Sequence, residues 1–259
     1  MNLPELSPHL ARAALPHALV RATEARRVFR NRGLEDASLR TAAAGWLTGL
    51  QLLPADLDLR RAFVVDLGAN EGDFSAAVLG LAPEARVLAV EPGPGPRERL
   101  QARLGSNPNV EIRPVAVAGE TGTATFRLTA HDHNSSLLRP RPESEERIGG
   151  GWAVVQEIEV PTVTLDELVG EQSVDVLKLD VQGAELDVIA GGRRALARTR
   201  AVLLEMNLFS QYEGDATFDA LHREMSALGF ELTNVATPVT TADGTATFVD
   251  GCYARPAAA

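Results

Sequence analysis

Residues 64–72, Val-Val-Asp-Leu-Gly-Ala-Asn-Glu-Gly, narrow the choice of fold more than any other stretch of the chain. An apolar run ends in Asp66, a turn follows with glycines four apart at Gly68 and Gly72, and a helix-compatible segment comes next. Glycine lets a backbone turn tightly and lets a ligand lie against the chain with no Cβ in the way. A dinucleotide fingerprint, G-x-G-x-x-G, places its first two glycines two apart to admit a pyrophosphate. Here Ala69 and Asn70 fill the space between, and an Asp ends the strand, which suits a cationic amino-acid ligand better than a diphosphate. A tight strand-to-helix turn that holds no ligand is the plain alternative.

The pattern downstream is that of strands alternating with helices, the mark of a parallel sheet wrapped on both faces. Strands are expected at 62–67, 86–91, 110–117, 174–180 and 201–207, with helices at 72–81, 96–104, 184–190 and 217–228. Residues 123–129 alternate like an antiparallel strand, and 153–164 form another. Thr164 and Glu167 have capping-box spacing for a short helix over 165–169. Two closing strands, 230–235 and 245–253, lack a helix between them, and Gly229 is placed to stop the helix before them. Residues 131–151 are polar, rich in Pro and Gly and without apolar period, and so read as a long loop, a lid or a disordered stretch. The expected architecture is α/β: a Rossmann-like domain over 62–259 built on a seven-stranded, mostly parallel sheet with an antiparallel C-terminal strand, carrying an inserted loop or hairpin at 119–164. Residues 1–61 show helical stretches around Pro8–Phe29 and Asp36–Leu53 and read as an N-terminal helical cap, either covering the sheet edge or shaping a substrate pocket.

Composition limits partners. Twenty-five Lys and Arg against 35 Asp and Glu give a net charge of −10 with no basic cluster, which disfavours nucleic acid. No run approaches the eighteen or so apolar residues of a membrane span, and none reads as a signal peptide. A lone Cys252 supports neither an internal disulfide nor a cysteine-based metal site. A cytoplasmic protein without membrane contact is expected, and a homo-oligomer is compatible with the chain.

Chemistry-bearing residues fall at the predicted strand ends. Glu91, nineteen positions after Gly72, follows the second strand, where a carboxylate can accept both hydroxyl protons of a ribose. Asp180 ends the fourth parallel strand and Glu205 lies at the same level on the fifth. They form a candidate general base and orienting partner, or a pair able to share a divalent cation, with Asn207 as a further oxygen ligand. Lys178 shares a sheet face with Asp180, so a Lys–Asp pair that only neutralises buried charge competes with the catalytic reading. Glu185 in a first helical turn is explained by the helix dipole alone. His131 and His133 flank Asp132 in the long loop, as a candidate base or metal ligands, or as solvated side chains.

The elbow, Leu165-Asp166-Glu167-Leu168 after a strand, and Leu177-Lys178-Leu179-Asp180-Val181-Gln182-Gly183-Ala184-Glu185 together resemble the FkbM family of methyltransferases over residues 62–207. The resemblance implies a class I fold, S-adenosylmethionine as donor and methyl transfer to a hydroxyl of a natural product, sugar or lipid. It implies that Asp66, Gly68, Ala69, Asn70 and Gly72 line the methionine moiety, Glu91 the ribose and Asp180 the reaction centre, and that Ser136 in Asn134-Ser135-Ser136-Leu137 touches the donor carboxylate. The catalytic set expected is then Asp180, Glu205 and His131, with no resident metal assigned and a divalent cation left open. Three rivals remain: an N-methyltransferase, a non-catalytic donor-binding protein, and a nicotinamide oxidoreductase, against which the missing middle glycine speaks.

Overall fold

The computed structural model describes residues 49–241 and 243–256. The first parallel strands form where apolar residues run without interruption, because a central strand of such a sheet is covered on both faces. In β1 (Phe63–Leu67), Val64, Val65, Asp66 and Leu67 are all fully buried. It is followed by α1 (Asp73–Leu81), β2 (Arg86–Val90), α2 (Pro94–Leu104) and β3 (Val110–Arg113). β1 pairs in parallel with β2, and β2 with β3.

The strand expected over 110–117 is broken at Pro114, which has no N–H to give a ladder. Its second half is a separate two-residue strand, β4 (Ala116–Val117), in another sheet. There β6 (Val154–Val163) lies between β4 and β5 (Gly122–Thr129), antiparallel to β5. The expected loop 131–151 is instead ordered. It holds a single 3₁₀ turn at Asp132–Asn134, a bridge between Arg127 and Ser136, and α3 (Pro142–Ile148). Ser144, the buried residue of α3, donates from Oγ to the Gln211 carbonyl at 2.7 Å, and Glu145 accepts from the Trp152 N–H at 2.7 Å. Polar tethers, rather than an apolar stripe, thus fold the segment.

The chain then returns to the main sheet. α4 (Leu165–Val169) starts at Thr164, whose side chain accepts from the Glu167 N–H at 3.2 Å as the spacing predicts; the Glu167 side chain, however, bonds Thr121 rather than completing the box. β7 (Val174–Leu179), α5 (Glu185–Ala190), the unanticipated α6 (Arg193–Ala197), β8 (Thr199–Asn207), α7 (Phe218–Ala227), β9 (Glu231–Val235), β10 (Val239–Thr240) and β11 (Ala246–Ala254) complete it. The order is β10-β11-β8-β7-β1-β2-β3, with β9 also on β11. β11 runs antiparallel to β8 and β9, as expected of a class I sheet; the two-residue β10 makes eight strands where seven were expected.

Right-handed crossovers place helices on opposite faces as the chain winds first one way and then the other. Phe74, Ala77 and Val78 of α1 and Leu100 of α2 pack on one face, whereas Val188, Ile189, Leu196 and Leu221 pack on the other. The reversal falls between β1 and β7, and ligands of open α/β sheets bind beyond the strand ends at such a switch point. Most of the expected N-terminal cap lies outside the described residues. Of its end, Leu50, Leu52, Leu53 and Leu57 are buried against the face that also carries Ala201, Leu203 and Cys252. Among the described residues no helix is long and apolar enough to cross a membrane.

Candidate active site

A cleft of about 690 Å³ opens at the switch point, lined by Gly68, Asn70, Glu91 and Gly93 after β1 and β2 and by Asp180 and Gln182 after β7. Asp132, His133 and Ser135 from the insert, with apolar Val117, Phe126 and Leu137, close it.

The elbow is shaped by close backbone approach. Gly68 has φ +71°, and a Cβ there would stand 1.8 Å from the Asp180 carbonyl oxygen. The Gly68 and Ala69 N–H groups both donate to the Val90 carbonyl, at 3.1 and 3.0 Å. Gly72 faces away from the cleft: at φ +83° it begins α1, and a Cβ would meet Leu100 Cδ1 at 2.5 Å. Asn70 takes φ +47°, a region Asn tolerates better than most residues. Its N–H donates to Glu91 Oε2 at 2.9 Å, while the Gly93 N–H donates to Glu91 Oε1 at 2.7 Å. Burial pushes the Glu91 carboxyl up to about 7 even though these N–H groups favour its charged form. Each oxygen therefore carries one backbone bond, and further acceptor capacity faces the cleft.

Asp66 is sealed under the elbow, outside the cleft lining. Ser75 Oγ donates to its Oδ2 at 2.6 Å, and Lys178 Nζ lies 3.5 Å from Oδ1. The same ammonium lies 3.0 Å from Asp180 Oδ2 and 3.0 Å from the Gly68 carbonyl. Burial lowers the proton affinity of Lys178, but Asp180 and Asp66 outweigh it and hold the ammonium above the usual lysine range. The Lys–Asp pair weighed from the sequence is thus present, and it braces the end of β7 against the elbow. It also puts a cation beside Asp180, where a shared divalent ion was considered.

Asp180 reaches the cleft directly after β7. Gln182 Nε2 donates to Asp180 Oδ1 at 2.8 Å and to Glu205 Oε1 at 3.2 Å, so the two carboxylates are brought together through an amide. Glu205 pairs across strands with Asp250. Burial first, then the charges of Asp180 and Asp250, raise Glu205 well above the carboxylate range, and burial with Asp180 raises Asp250 to about 6. These residues, with Lys178, Gly49 and Leu52, line a smaller pocket of about 240 Å³ next to the cleft. Glu185 shapes the turn, its Oε1 accepting from the Val181 and Gly183 N–H groups at 3.0 and 3.2 Å, and burial lifts its carboxyl to about 7. Asn207 donates to Asp215 Oδ2 at 3.4 Å and lines neither pocket.

In the insert, neighbours of the expected residues line the cleft. Ser136 Oγ donates to the Gln182 carbonyl at 2.6 Å and accepts from the Leu138 N–H at 2.9 Å, so it holds backbone, and Ser135 lines the cleft, its Oγ also accepting from the Thr129 N–H at 3.1 Å. His133 likewise lines the cleft in the place expected of His131, whose ring lies 5.1 Å away, centroid to centroid. Arg99 on α2 bridges Glu71 of the elbow, at 2.7 Å, and Asp132 of the insert, tying the two rims of the cleft.

A family model described as the methyltransferase FkbM domain matches residues 66–232. The 2-O-methyltransferase NoeI of Sinorhizobium fredii is 30% identical over 172 residues, 61% of this chain and 68% of NoeI. The AMB antimetabolite synthetase AmbE of Pseudomonas aeruginosa is 32% identical over 212 residues, 70% of this chain but 10% of that protein. Methyltransferase sdnD of Sordaria araneosa is 30% identical over 154 residues, half of this chain and 60% of its own length.

Proposed function

Given that the chain belongs to the FkbM methyltransferase family, we propose that it transfers a methyl group from S-adenosylmethionine to a hydroxyl of a small-molecule, natural-product or sugar acceptor. The observation that carries this reading is Glu91: a buried carboxylate at the tip of β2, held from behind by two N–H groups and open toward the cleft. That arrangement fits a vicinal diol such as a ribose, and Gly68 and Asn70 supply a glycine-permitted backbone wall beside it. NoeI is by its name a 2-O-methyltransferase, which favours oxygen as the acceptor atom. The acidic cleft disfavours nucleic acid as acceptor.

When bound, the donor supplies an already activated methyl group on a sulfonium, so the chain's tasks are alignment and the handling of one proton. Glu91 would hold the ribose hydroxyls, Gly68 and Asn70 would hold the amino-acid end, and Ser135 would offer a hydroxyl to it from the insert. Asp180 accepts the acceptor's hydroxyl proton at its carboxylate, and Glu205 orients the acceptor from the adjoining pocket. His133, across the cleft, is the second group able to take that proton. One observation favours a second reading, methylation of an amine: Asp180, Glu205 and Asp250 gather carboxyl oxygens to which the N–H groups of an amine could donate.

The test is methyl-labelled S-adenosylmethionine offered with a panel of free sugars, polyols and primary amines, with label scored as ether or amine. Labelled ether is expected, and Asp180→Asn should lower its formation by about 100-fold or more, the scale of general base catalysis. Labelled amine alone would replace the hydroxyl reading, and wild-type turnover in Asp180→Asn would end the role given to Asp180.

A further inference from the structure

Gln182 stands in the turn after β7 with φ +57°, a backbone region that residues with a long side chain seldom enter. Two contacts from different parts of the chain hold it there. Ser136 of the insert donates to its carbonyl at 2.6 Å, and the buried Tyr212, from the segment after β8, shares its one hydroxyl hydrogen between Gln182 Oε1 at 2.8 Å and the Asn134 carbonyl at 3.1 Å. The next residue, Gly183, makes room for that tyrosine: a Cβ there would lie 2.9 Å from Tyr212 Cδ2. Because Oε1 accepts from the phenol, the amide nitrogen must face the other way. Its two hydrogens then go to Asp180 Oδ1 at 2.8 Å and to Glu205 Oε1 at 3.2 Å.

An amide that only filled space would not need a positive φ, a tether at each end and both hydrogens directed to acids. Resting on the reading of Asp180 as the proton acceptor of the cleft, we propose that Gln182 is a positioning residue, a strut braced by Tyr212 that sets the spacing and the hydrogen bonds of Asp180 and Glu205. A neutral double donor is suited to this place, since it lets two carboxylates lie close without a second cation. The charged and titratable groups around the pair are Lys178 and Asp66 from β7 and β1, Asp250 from β11, Glu185 at the start of α5, and Tyr212 with Asp215 after β8. Through Ser136 and Tyr212, the strut also links the insert to the carboxylates.

The test uses the full chain without ligand. Side-chain carboxyl carbons of Asp180 and Glu205 are followed by ¹³C NMR across pH, with assignments from Asp180→Asn and Glu205→Gln. Gln182→Met keeps length and loses both donors; Gln182→Asn keeps the backbone comfortable at positive φ but is one methylene too short to reach both acids. In both variants the titration midpoints of the pair should rise by about one pH unit or more, because hydrogen bonds to the charged forms are lost. Tyr212→Phe should reproduce part of the shift. Midpoints within about 0.3 pH units of wild type in both Gln182 variants would reduce the residue to packing and overturn the proposal. If Gln182→Met does not fold, Gln182→Asn decides. Calorimetry of the wild-type chain with S-adenosylhomocysteine, run in parallel, judges the donor reading separately: absence of heat would overturn that reading and leave the titration result to judge the strut.

Discussion

Replacing Glu91 by Gln changes one atom and removes one charge at the position on which the donor reading turns. In the wild-type chain each Glu91 oxygen accepts one backbone N–H, from Asn70 at 2.9 Å and from Gly93 at 2.7 Å. A carboxylate has about four acceptor sites, so two remain for a diol. An amide presents one oxygen and one NH₂, and whichever way it turns, one ribose hydroxyl loses its acceptor and the other loses a charged one. Hydrogen bonds to charged groups contribute about 1.5–3 kcal/mol each, so the affinity for S-adenosylhomocysteine should fall by about 2–4 kcal/mol, roughly 30- to 1,000-fold. Stability should change less. The NH₂ facing a backbone N–H costs about 1–3 kcal/mol, while at pH 8 the variant is relieved of a buried charge worth about 3 kcal/mol, from the rise of the carboxyl from 4.5 to about 7. The same rise predicts a pH signature. A diol requires the ionised form, so wild-type affinity should drop about tenfold between pH 8 and pH 6, whereas the variant should stay flat. Isothermal calorimetry at both pH values, with urea unfolding to verify the fold, is sufficient. Binding by Glu91→Gln within threefold of wild type at pH 8, or a flat wild-type profile, would refute the reasoning.

Two further predictions concern the scaffold. Glu91 and Glu185, raised to about 7, and Asp250, raised to about 6, bind protons in the folded chain that they would not bind unfolded. The stability they contribute is fully present below the unfolded carboxylate range and is lost as pH rises through 6 to 7, so the urea midpoint of the ligand-free chain should fall from pH 5 to pH 8. The exposed Asp58, Asp219 and Asp243 are held low and titrate beneath that window; a midpoint rising across it would contradict the assignment. Gly68→Ala should lose about 4 kcal/mol or more, combining positive φ with a Cβ 1.8 Å from the Asp180 carbonyl oxygen, whereas Gly149→Ala, at φ +70° and ψ 175° with open space around it, should lose the backbone cost alone, about 1–3 kcal/mol. Equal losses in urea titrations of the two variants would show that the close approach does not matter.

Legibility in the sequence followed local cause. β1, β2, β7 and β8 were readable because strands covered on both faces are written as short runs dominated by Val, Leu and Ala, and the Thr164 cap because its partner is three residues away. The insert was not, for its order comes from distant tethers: Ser144 to Gln211, Ser136 to Gln182, Tyr212 to Asn134. No periodicity records such bonds. The break at Pro114 carried a signal, a proline inside an apparent strand, that deserved more weight than the β-branched residues around it. Of the site, Asp180, Glu91 and Asn70 could be named because strand ends can be located to a residue or two. His133 and Ser135 could not be separated from His131 and Ser136, since a polar stretch without period carries no mark of which neighbour faces inward. The part of Gln182 was hidden for a related reason: a positive φ at a residue other than Gly or Asn leaves no mark in the sequence.

The glycines of the elbow illustrate how one motif can be read correctly and for an incomplete reason. Their spacing points to a ligand turn, yet Gly72 serves contact between α1 and α2, and Gly68 makes room for the backbone that carries Asp180 as much as for any donor. Glycines with these tasks would be required whatever the strand ends held, so they select the fold and not the ligand. Discrimination must then come from the side chains placed by that close approach. The absence of a Cβ at Gly68 brings its carbonyl within 3.0 Å of Lys178, and Lys178 in turn holds Asp180 in the lining of the cleft that also contains Glu91. Charge placement at the switch point is therefore coupled to the turn itself. A substitution at Gly68 should disturb the proton-handling side of the cleft along with the donor wall.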